Sequence, residues 1–390
     1  MESIKGVNVK GKKVIVRVDY NVPFKNGKIL DDARIVASLE TVEYLAKKGA
    51  RVILLSHLGR IKCEEDKQIN SLSMVAKRLS TLVKHPVYFV PFTRGEEVEK
   101  TIENTLNGEI VLLENTRFED YPNKLESSCD EKLSKYWAKL ADMFVLDAFG
   151  TAHRCHASTY GISKYIPSYA GFLVEKEVKV LDDVIAKKKN VIMGGAKIED
   201  KIGVIDNLIR NCDHLFIGGA MCFTFLKAKG IDVGSSIVSE DNIGYAINLL
   251  NKYNKKIILP VDVMTQNGVK SIDKLEKDDI GYDIGPKTIK MFKDYLSGSK
   301  LVLWNGPLGK YEEKEYGKGT KSILTFLKKM EFKSILAGGD ILAAAAHFKT
   351  ELYYMSTGGG STLEDLEGKR FRTLERLKGW KKLFLITKVI

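Results

Sequence analysis

Short apolar runs recur along this chain, and within each run the apolar residues are consecutive, not alternate. A first series is Val14–Val18, Val52–Leu55, Val87–Val90, Ile110–Leu113 and Phe144–Leu146. A second is Val191–Met193, Leu215–Ile217, Ile257–Leu259, Leu301–Trp304, Ser334–Ala337 and Tyr353–Met355. Continuous runs of this length suit strands buried on both faces. Amphipathic segments lie between them. Ile35, Leu39, Val42 and Leu45 share one helical face, and Gly49 supplies the stop. Strand–helix alternation of this kind predicts an α/β protein built on parallel sheets with helices on both sides.

At 390 residues the chain exceeds what one hydrophobic core supports, so two domains are expected. The pattern breaks at Tyr165–Pro167, after which Gly171–Lys189 reads as one helix ending in a lysine run. The predicted layout is therefore a first domain over 1–165, a connecting helix and hinge over 166–189, a second domain over 190–369 and a tail over 370–390.

The net charge of +12 raises nucleic-acid binding as a possibility, because basic surfaces attract phosphates. The lysines are spread along the whole chain, however, often at expected helix ends (Lys47-Lys48, Lys187-Lys188-Lys189, Lys255-Lys256), where the helix dipole favours cations. No finger spacing or aromatic ribonucleoprotein motif accompanies them, so charge alone decides nothing. Cys63, Cys129, Cys155, Cys212 and Cys222 are scattered and form no C-x-x-C pair, which argues against a disulfide framework or a structural zinc site. His153, Cys155 and His156 sit too close in sequence to close a tetrahedral set alone. With no secretory leader at Met1–Lys13 and no apolar run of spanning length, a cytoplasmic setting without membrane contact is expected.

In open parallel sheets ligands bind beyond the carboxyl ends of the strands. In the first half those positions carry Asp19 and Asn21, His57 and Arg60, Asn115 and Arg117, then Asp147 followed by His153 and Arg154. In the second half they carry Gly194-Gly195-Ala196-Lys197, Gly218-Gly219, Asp262, Asn305-Gly306-Pro307, Gly338-Gly339-Asp340 and Gly358-Gly359-Gly360. One half offers side-chain cations, the other bare backbone with lysines and a carboxylate. Guanidinium and imidazole groups suit a small polyanion. Glycines, helix N-termini and a lysine suit a nucleotide polyphosphate. Ser361-Thr362-Leu363-Glu364 matches a capping box and predicts a helix start after the triple glycine. Lys197 and Lys201, spaced i, i+4, would face one ligand if a helix begins there.

Taken singly, these features have structural readings. Strand-end glycines serve tight turns, a lone histidine such as His57 is more often structural, and Asp262 would cap a helix or pair with a lysine. The familiar nucleotide fingerprints also fail. Gly6 to Lys12 resembles a P-loop, but Lys13 replaces the hydroxyl residue and the run precedes a strand, and no G-x-G-x-x-G follows any strand.

Together, Arg17-Val-Asp-Tyr-Asn-Val-Pro23, Ser56-His-Leu-Gly-Arg60, Leu113-Glu-Asn-Thr-Arg-Phe118 and Asp147-Ala-Phe-Gly-Thr-Ala-His-Arg154 closely resemble the signatures of the phosphoglycerate kinase family. So do Gly194-Gly-Ala-Lys197, Trp304-Asn-Gly-Pro-Leu-Gly309, Gly338-Gly-Asp340 and Ser356-Thr-Gly-Gly-Gly360, in family order over residues 14 to 369. The resemblance implies a bilobal, hinge-bending kinase of two Rossmann-like parallel-sheet domains joined by a helix. It implies 3-phosphoglycerate or 1,3-bisphosphoglycerate on the first domain and ATP or ADP with Mg2+ on the second. By the same resemblance Asp19, Asn21 and His57 would contact the glycerate and Arg60, Arg117 and Arg154 its remote phosphate. Arg34 would act on the transferring phosphoryl, making Arg34, Lys197 and Lys201 the catalytic set. Gly194, Gly195, Lys197, Lys201, Asn305, Gly338, Gly339 and Ile341 would hold nucleotide phosphates, with Asp340 on the metal. Gly218, Gly219, Gly281 and Pro307 would border the adenine, and Glu312 would bind the ribose. Small-molecule substrates, no nucleic acid and a monomer complete the expectation.

The chain departs from the family pattern in places. Ile341 replaces the usual hydroxyl residue after Gly-Gly-Asp, and Lys310 and Tyr282 replace aliphatic residues of the adenine pocket. The usual Pro-Gly turn is missing after Lys369, before the tail that the resemblance would pack back on the first domain. The chemistry agrees with the resemblance: a carboxylate acceptor, with a pKa of roughly 3.5, is already ionised near neutrality and needs no general base. Catalysis then reduces to positioning and charge neutralisation. An inactive relative acting as a binding protein is the competing reading.

Overall fold

The computed structural model describes residues 1–330 and 332–379. The chain divides into one unit spanning Met1–Lys179 with the described part of the tail, 370–379, and another spanning Val180–Lys369. Each unit is built on a six-stranded parallel sheet.

In the first unit β1 (Lys13–Val18), β2 (Arg51–Leu55), β3 (Val87–Val90), β4 (Ile110–Leu113), β5 (Met143–Asp147) and β6 (Ser168–Ala170) are ordered β3-β4-β2-β1-β5-β6. The sequence winds outward from β1 in both directions, so β1 marks the switch point where a parallel sheet opens a crevice. Its residues from Val14 to Val18 are all buried, as the continuous apolar run requires. Helix Ala33–Lys47 covers the sheet with Ile35, Val42 and Leu45, all fully buried in the same core as Val14, Val16 and Val18. The short β6 was not anticipated: its residues Ser168-Tyr-Ala are three in number and follow a proline, leaving no run to detect. A hairpin of Phe24–Lys25 and Lys28–Ile29 also went unseen for its brevity.

Asp147 ends β5 fully buried, and its Oδ1 accepts the Leu173 N–H at 2.9 Å, capping helix Phe172–Ala186. Its Oδ2 has no partner. Burial pushes this carboxyl up to about 7. Because the folded value lies above the unfolded one, Asp147 favours folding most below pH ~4, and that contribution is lost as pH rises toward ~7. Two histidines held below their ordinary value, His57 and His156, act in the opposite sense over part of that window. Comparison with a variant isolates the aspartate. The stability of Asp147→Asn relative to wild type should climb with pH between ~4 and ~7, by at most about 1.4 kcal/mol per pH unit, then level off. Urea midpoints measured across that range check it, and a pH-independent difference would contradict the assignment.

The described tail lies against the first unit. Both Arg376 Nε and Nη2 donate to Ser163 O, at 3.1 and 3.0 Å, Arg372 reaches the Tyr160 hydroxyl at 3.1 Å, and Glu2 N donates to Leu377 O at 2.6 Å. The remainder of the expected tail, 380–390, falls outside the described residues.

In the second unit β7 (Lys189–Met193), β8 (Cys212–Ile217) and β9 (Ile257–Ile258) lead to three antiparallel strands, β10 (Asp262–Thr265), β11 (Gly268–Ser271) and β12 (Gly281–Ile284). The parallel sheet then resumes with β13 (Leu301–Asn305), β14 (Lys333–Leu336) and β15 (Tyr354–Met355), in the order β9-β8-β7-β13-β14-β15. The antiparallel sheet β11-β10-β12 was missed, because residues 262–284 are polar and glycine-bearing and carry no continuous apolar run.

The lysine run after helix Phe172–Ala186 behaves differently from expectation. The helix ends at Ala186, and Lys189 opens β7 with only 1% exposure. Its ammonium donates to the carbonyls of Lys187 (2.9 Å), Ile185 (3.2 Å) and Asn211 (3.5 Å). A cation buried at a helix C-terminus satisfies carbonyls that the helix leaves open.

Candidate functional site

Strands β1, β2, β4 and β5 all point their carboxyl ends to one edge of the first sheet, and each is followed by charged or amide side chains. Asp19 follows β1, and its Oδ2 accepts from Nη1 of Arg34 in the first turn of helix Ala33–Lys47. Asn21 Oδ1 accepts the Gly59 N–H at 2.9 Å, tying the β1 loop to the β2 loop. Arg117 Nη1 donates to the Gly59 carbonyl, and Asn115 accepts the Leu58 N–H at 3.2 Å and the Arg117 N–H at 3.1 Å. Asn115 is thus a staple under the cations. Arg60, Arg117 and Arg154 line a cavity of 640 Å³ together with Lys62, Lys124 and His156. Arg154 Nε donates to His153 Nε2 at 2.9 Å. Asp19, Asn21, Arg34 and His57 are not part of that cavity's lining but join it through the shared Gly59 backbone.

His57 differs from the sequence-based picture of a cation. It is 5% exposed, and burial first, then Arg17, Arg117, Arg34 and Arg154, hold its pKa well below the usual imidazole value. Burial and the same arginines push His156 down to about 3. Near neutral pH the positive charge of this edge comes from its arginines and lysines.

The matching edge of the second sheet is mostly backbone. Gly194 N donates to Asn305 O and Gly195 N to Pro307 O, both at 2.8 Å, while Gly219 N donates to Leu308 O at 3.0 Å. These bonds draw the loops after β7, β8 and β13 into contact. Gly219 has φ +62, and a Cβ there would come within 2.5 Å of Gly195 N, so only glycine lets the two loops meet. Gly306, at φ +81, would place a Cβ 2.3 Å from Gly194 O. Above this floor lies a cavity of 460 Å³ lined by Gly195, Gly219, Gly281, Pro307, Glu312 and Asp340 from the sequence-based set, and also by Tyr282, Lys310 and Tyr311.

Lys201 is buried at the base, its ammonium on Asn305 Oδ1, and Asn305 Nδ2 donates in turn to Ala337 O. Both ends of the Asn305 amide are therefore engaged, and its evident role is to fix Lys201. Lys197 is exposed on the loop. The helix that would put both lysines on one face begins only at Ile202, after a 3-10 turn Glu199–Lys201, so the i, i+4 argument does not hold. Asp340 lies exposed in the first turn of helix Gly339–His347, whose N-cap is Gly338 at φ +105. Ile341 points into the core with no exposure, leaving only its backbone N–H at the helix start.

Other expectations resolve structurally. Asp262 accepts the N–H groups of Lys287 (2.9 Å) and Thr288 (2.7 Å), capping helix Pro286–Leu296, which is its structural reading. A helix does follow the triple glycine, Gly360–Leu366, but its N-cap is Gly359 at φ +56 and Ser361 lies inside the first turn. Glycine's left-handed turn sets that start in place of a capping box. Lys310 passes over the Tyr282 ring at 5.9 Å and pairs with Glu313, while Tyr282 stacks on Tyr316 at 4.5 Å. The lysine stem packs as an apolar wall with its head turned to solvent.

Comparison with known proteins agrees with this division. A family profile described as Phosphoglycerate kinase matches residues 4–369. The chain belongs to the phosphoglycerate kinase family. A phosphoglycerate kinase of Enterococcus faecalis is 47% identical over 383 residues, covering 94% of this chain and 96% of that one. One from Lactobacillus delbrueckii subsp. bulgaricus is 49% identical over 387 residues, covering 94% and 96%. Among solved structures, the phosphoglycerate kinase of Coxiella burnetii superposes with a TM-score of 0.85 at 34% identity, covering 96% of this chain and 98% of that one. The enzyme of Pyrococcus horikoshii gives 0.82 at 30% identity, covering 97% and 98%. Family membership makes the chain an ATP-dependent phosphotransferase with a carboxyl group as acceptor.

Proposed function

We propose that the protein catalyses reversible phosphoryl transfer between 1,3-bisphosphoglycerate with ADP and 3-phosphoglycerate with ATP, each sheet edge holding one substrate. The observation that carries this reading is the contrast between the edges: three arginines around a 640 Å³ cavity on one, glycine backbone around a 460 Å³ cavity on the other. Arg60, Arg117 and Arg154 grip the remote phosphate, since guanidinium groups match phosphate oxygens in pairs. Asp19, Asn21 and His57 contact the glycerate hydroxyl and carboxyl, and Arg34 faces the reacting carboxyl. Gly194, Gly195, Lys197, Lys201 and the first N–H groups of helix Gly339–His347, Ile341 included, receive the nucleotide phosphates. Gly218, Gly219, Gly281 and Pro307 border the base, and Glu312 takes the ribose.

Among the described residues no three His, Cys, Asp or Glu side chains gather as a metal cage. A single exposed carboxylate, Asp340, fits Mg2+ in another way, because that ion completes its shell with phosphate oxygens and water. Asp340 would hold the metal that accompanies the nucleotide, which supplies charge neutralisation there.

The acceptor carboxylate carries no proton to remove, so the residues' work is orientation and charge balance. Arg34 on one side and Lys201, fixed by Asn305, on the other place cations toward the two ends of the transfer. Substrates on separate units require the units to approach when both are loaded, which also excludes water from the transferring group. The missing hydroxyl at Ile341 removes one phosphate contact and leaves the backbone donor. The five free cysteines suit a cytoplasmic setting, and the two sites ask for no second subunit.

A coupled assay should show ADP formation from ATP that requires both 3-phosphoglycerate and Mg2+. Small-angle scattering should show a smaller radius with both ligands than with either alone. Binding of both substrates without turnover would favour the inactive-relative reading, and an unchanged radius would count against approach of the units.

A further inference from the structure

Arg17 stands on β1 between Val16 and Val18, 1% exposed, a position where the strand's apolar run would otherwise continue. Its Nη2 lies 3.0 Å from His57 Nδ1 and its Nη1 3.4 Å from Thr116 Oγ1, while its Nε meets no partner. A buried guanidinium tolerates such an unmet donor only where its position is otherwise demanded. Glu126, itself fully buried, acts on it as a countercharge.

Arginine donates hydrogen bonds and never accepts them. His57 Nδ1 therefore presents its lone pair to Arg17, and the ring's single proton resides on Nε2. The carboxylate that would favour the other tautomer is out of reach, since Asp19 Oδ1 lies 4.0 Å from Nδ1 and Asp19 Oδ2 is held by Arg34. No cation other than an arginine is needed to explain the arrangement.

We propose that Arg17 is a positioning residue that fixes His57 as its neutral Nε2–H tautomer, so that His57 offers the glycerate a directed hydrogen-bond donor and no charge. The inference rests on the reading of His57 as a glycerate contact. It separates two tasks at one edge: Arg60, Arg117 and Arg154 attract the anion, while His57, turned by Arg17, selects its orientation. An imidazolium would serve the first task but would meet the Arg17 guanidinium proton to proton.

Long-range 1H–15N correlation spectra of the whole protein, labelled in histidine, test this, with His57 assigned from its absence in His57→Gln. Wild-type His57 should show an unprotonated Nδ1 and a protonated Nε2, unchanged between pH about 8 and about 5. In Arg17→Met the ring should become a tautomer mixture that gains a proton on acidification, and KM for 3-phosphoglycerate should rise roughly tenfold with KM for ATP unmoved. Arg17→Lys, which keeps a donor, should stay nearer wild type in both readouts and serves if Arg17→Met does not fold. An Nδ1–H ring in the wild type, or an unaltered ring in a folded Arg17→Met, overturns the proposal. A ring that changes as expected while 3-phosphoglycerate binds normally to Arg17→Met and His57→Gln overturns it differently, by removing His57 from the glycerate site.

Discussion

Arg34→Ala should lower kcat by roughly a thousandfold while leaving ATP affinity near normal, the size of effect that a preorganised arginine on a transferring phosphoryl supplies. The geometry explains both halves of that expectation. Arg34 stands at the start of helix Ala33–Lys47, on the first unit, and shares no contact with the glycine-lined cavity of the second. Its Nη1 is held by Asp19, an aspartate side chain with only 9% exposure, which aims the guanidinium before substrate arrives. The remaining donors of the fork are left to meet oxygens of the reacting group. Removing the side chain also strips Asp19 of its partner and leaves a carboxylate facing an anionic substrate, so KM for 3-phosphoglycerate should rise as well. Arg34→Lys keeps the charge but not the planar fork, and should fall between the two. Steady-state kinetics with both substrates varied, together with calorimetric ATP binding, check it. A kcat within a few-fold of wild type would exclude Arg34 from the transition state.

The parallel core was legible in the sequence because a strand buried on both faces has no choice of residue. Val14–Val18, Val52–Leu55 and Ile110–Leu113 are continuous runs for that reason, and the structure has strands at all three. The antiparallel sheet of the second unit was not legible, since Gly268-Val-Lys-Ser271 and Gly281-Tyr-Asp-Ile284 are only partly apolar and owe their pairing to distant neighbours. The strand ends told which positions face the sites, as the arginines around one cavity and the glycines around the other show. What sequence could not tell was the support beneath them. Asn305 reads as a ligand residue until its amide is seen between Lys201 and the Ala337 carbonyl. Arg17 did leave a trace, an arginine inside an apolar strand, but its meaning depends on His57, forty residues away. Asp283 left less: its buried carboxylate accepts the Gly319 N–H at 2.7 Å and the Ile284 N–H at 2.8 Å, holding β12 to the start of helix Lys318–Lys329. Spacing encodes which residues share an edge, whereas a bond between loops is set by the fold.

Asp340→Ala should weaken Mg-ATP by about 2–3 kcal/mol, roughly 30- to 150-fold, and leave 3-phosphoglycerate binding unchanged. The carboxylate occupies the first turn of helix Gly339–His347, where Gly338 at φ +105 turns the chain so that side chain and helix N-terminus face the same cavity. Gly338 cannot be otherwise, since a Cβ there would lie 2.4 Å from Asn305 Nδ2. An acidic group at a helix N-terminus is itself favourable, so Asp340 is stable without a metal and need not be created by one. It also acts on Lys201, whose ammonium burial drives below its ordinary value and Asp340 raises again. Removing Asp340 should therefore make Lys201 easier to deprotonate, and the loss of Mg-ATP affinity should deepen at alkaline pH. Metal-free ATP supplies the control. If the carboxylate serves the metal, ATP without Mg2+ should bind Asp340→Ala at least as well as wild type, because one negative charge has left a phosphate site. Equal weakening of metal-free ATP would mean that Asp340 supports the helix start and not the ion, and equal loss of 3-phosphoglycerate would contradict the assignment of the two substrates to separate edges.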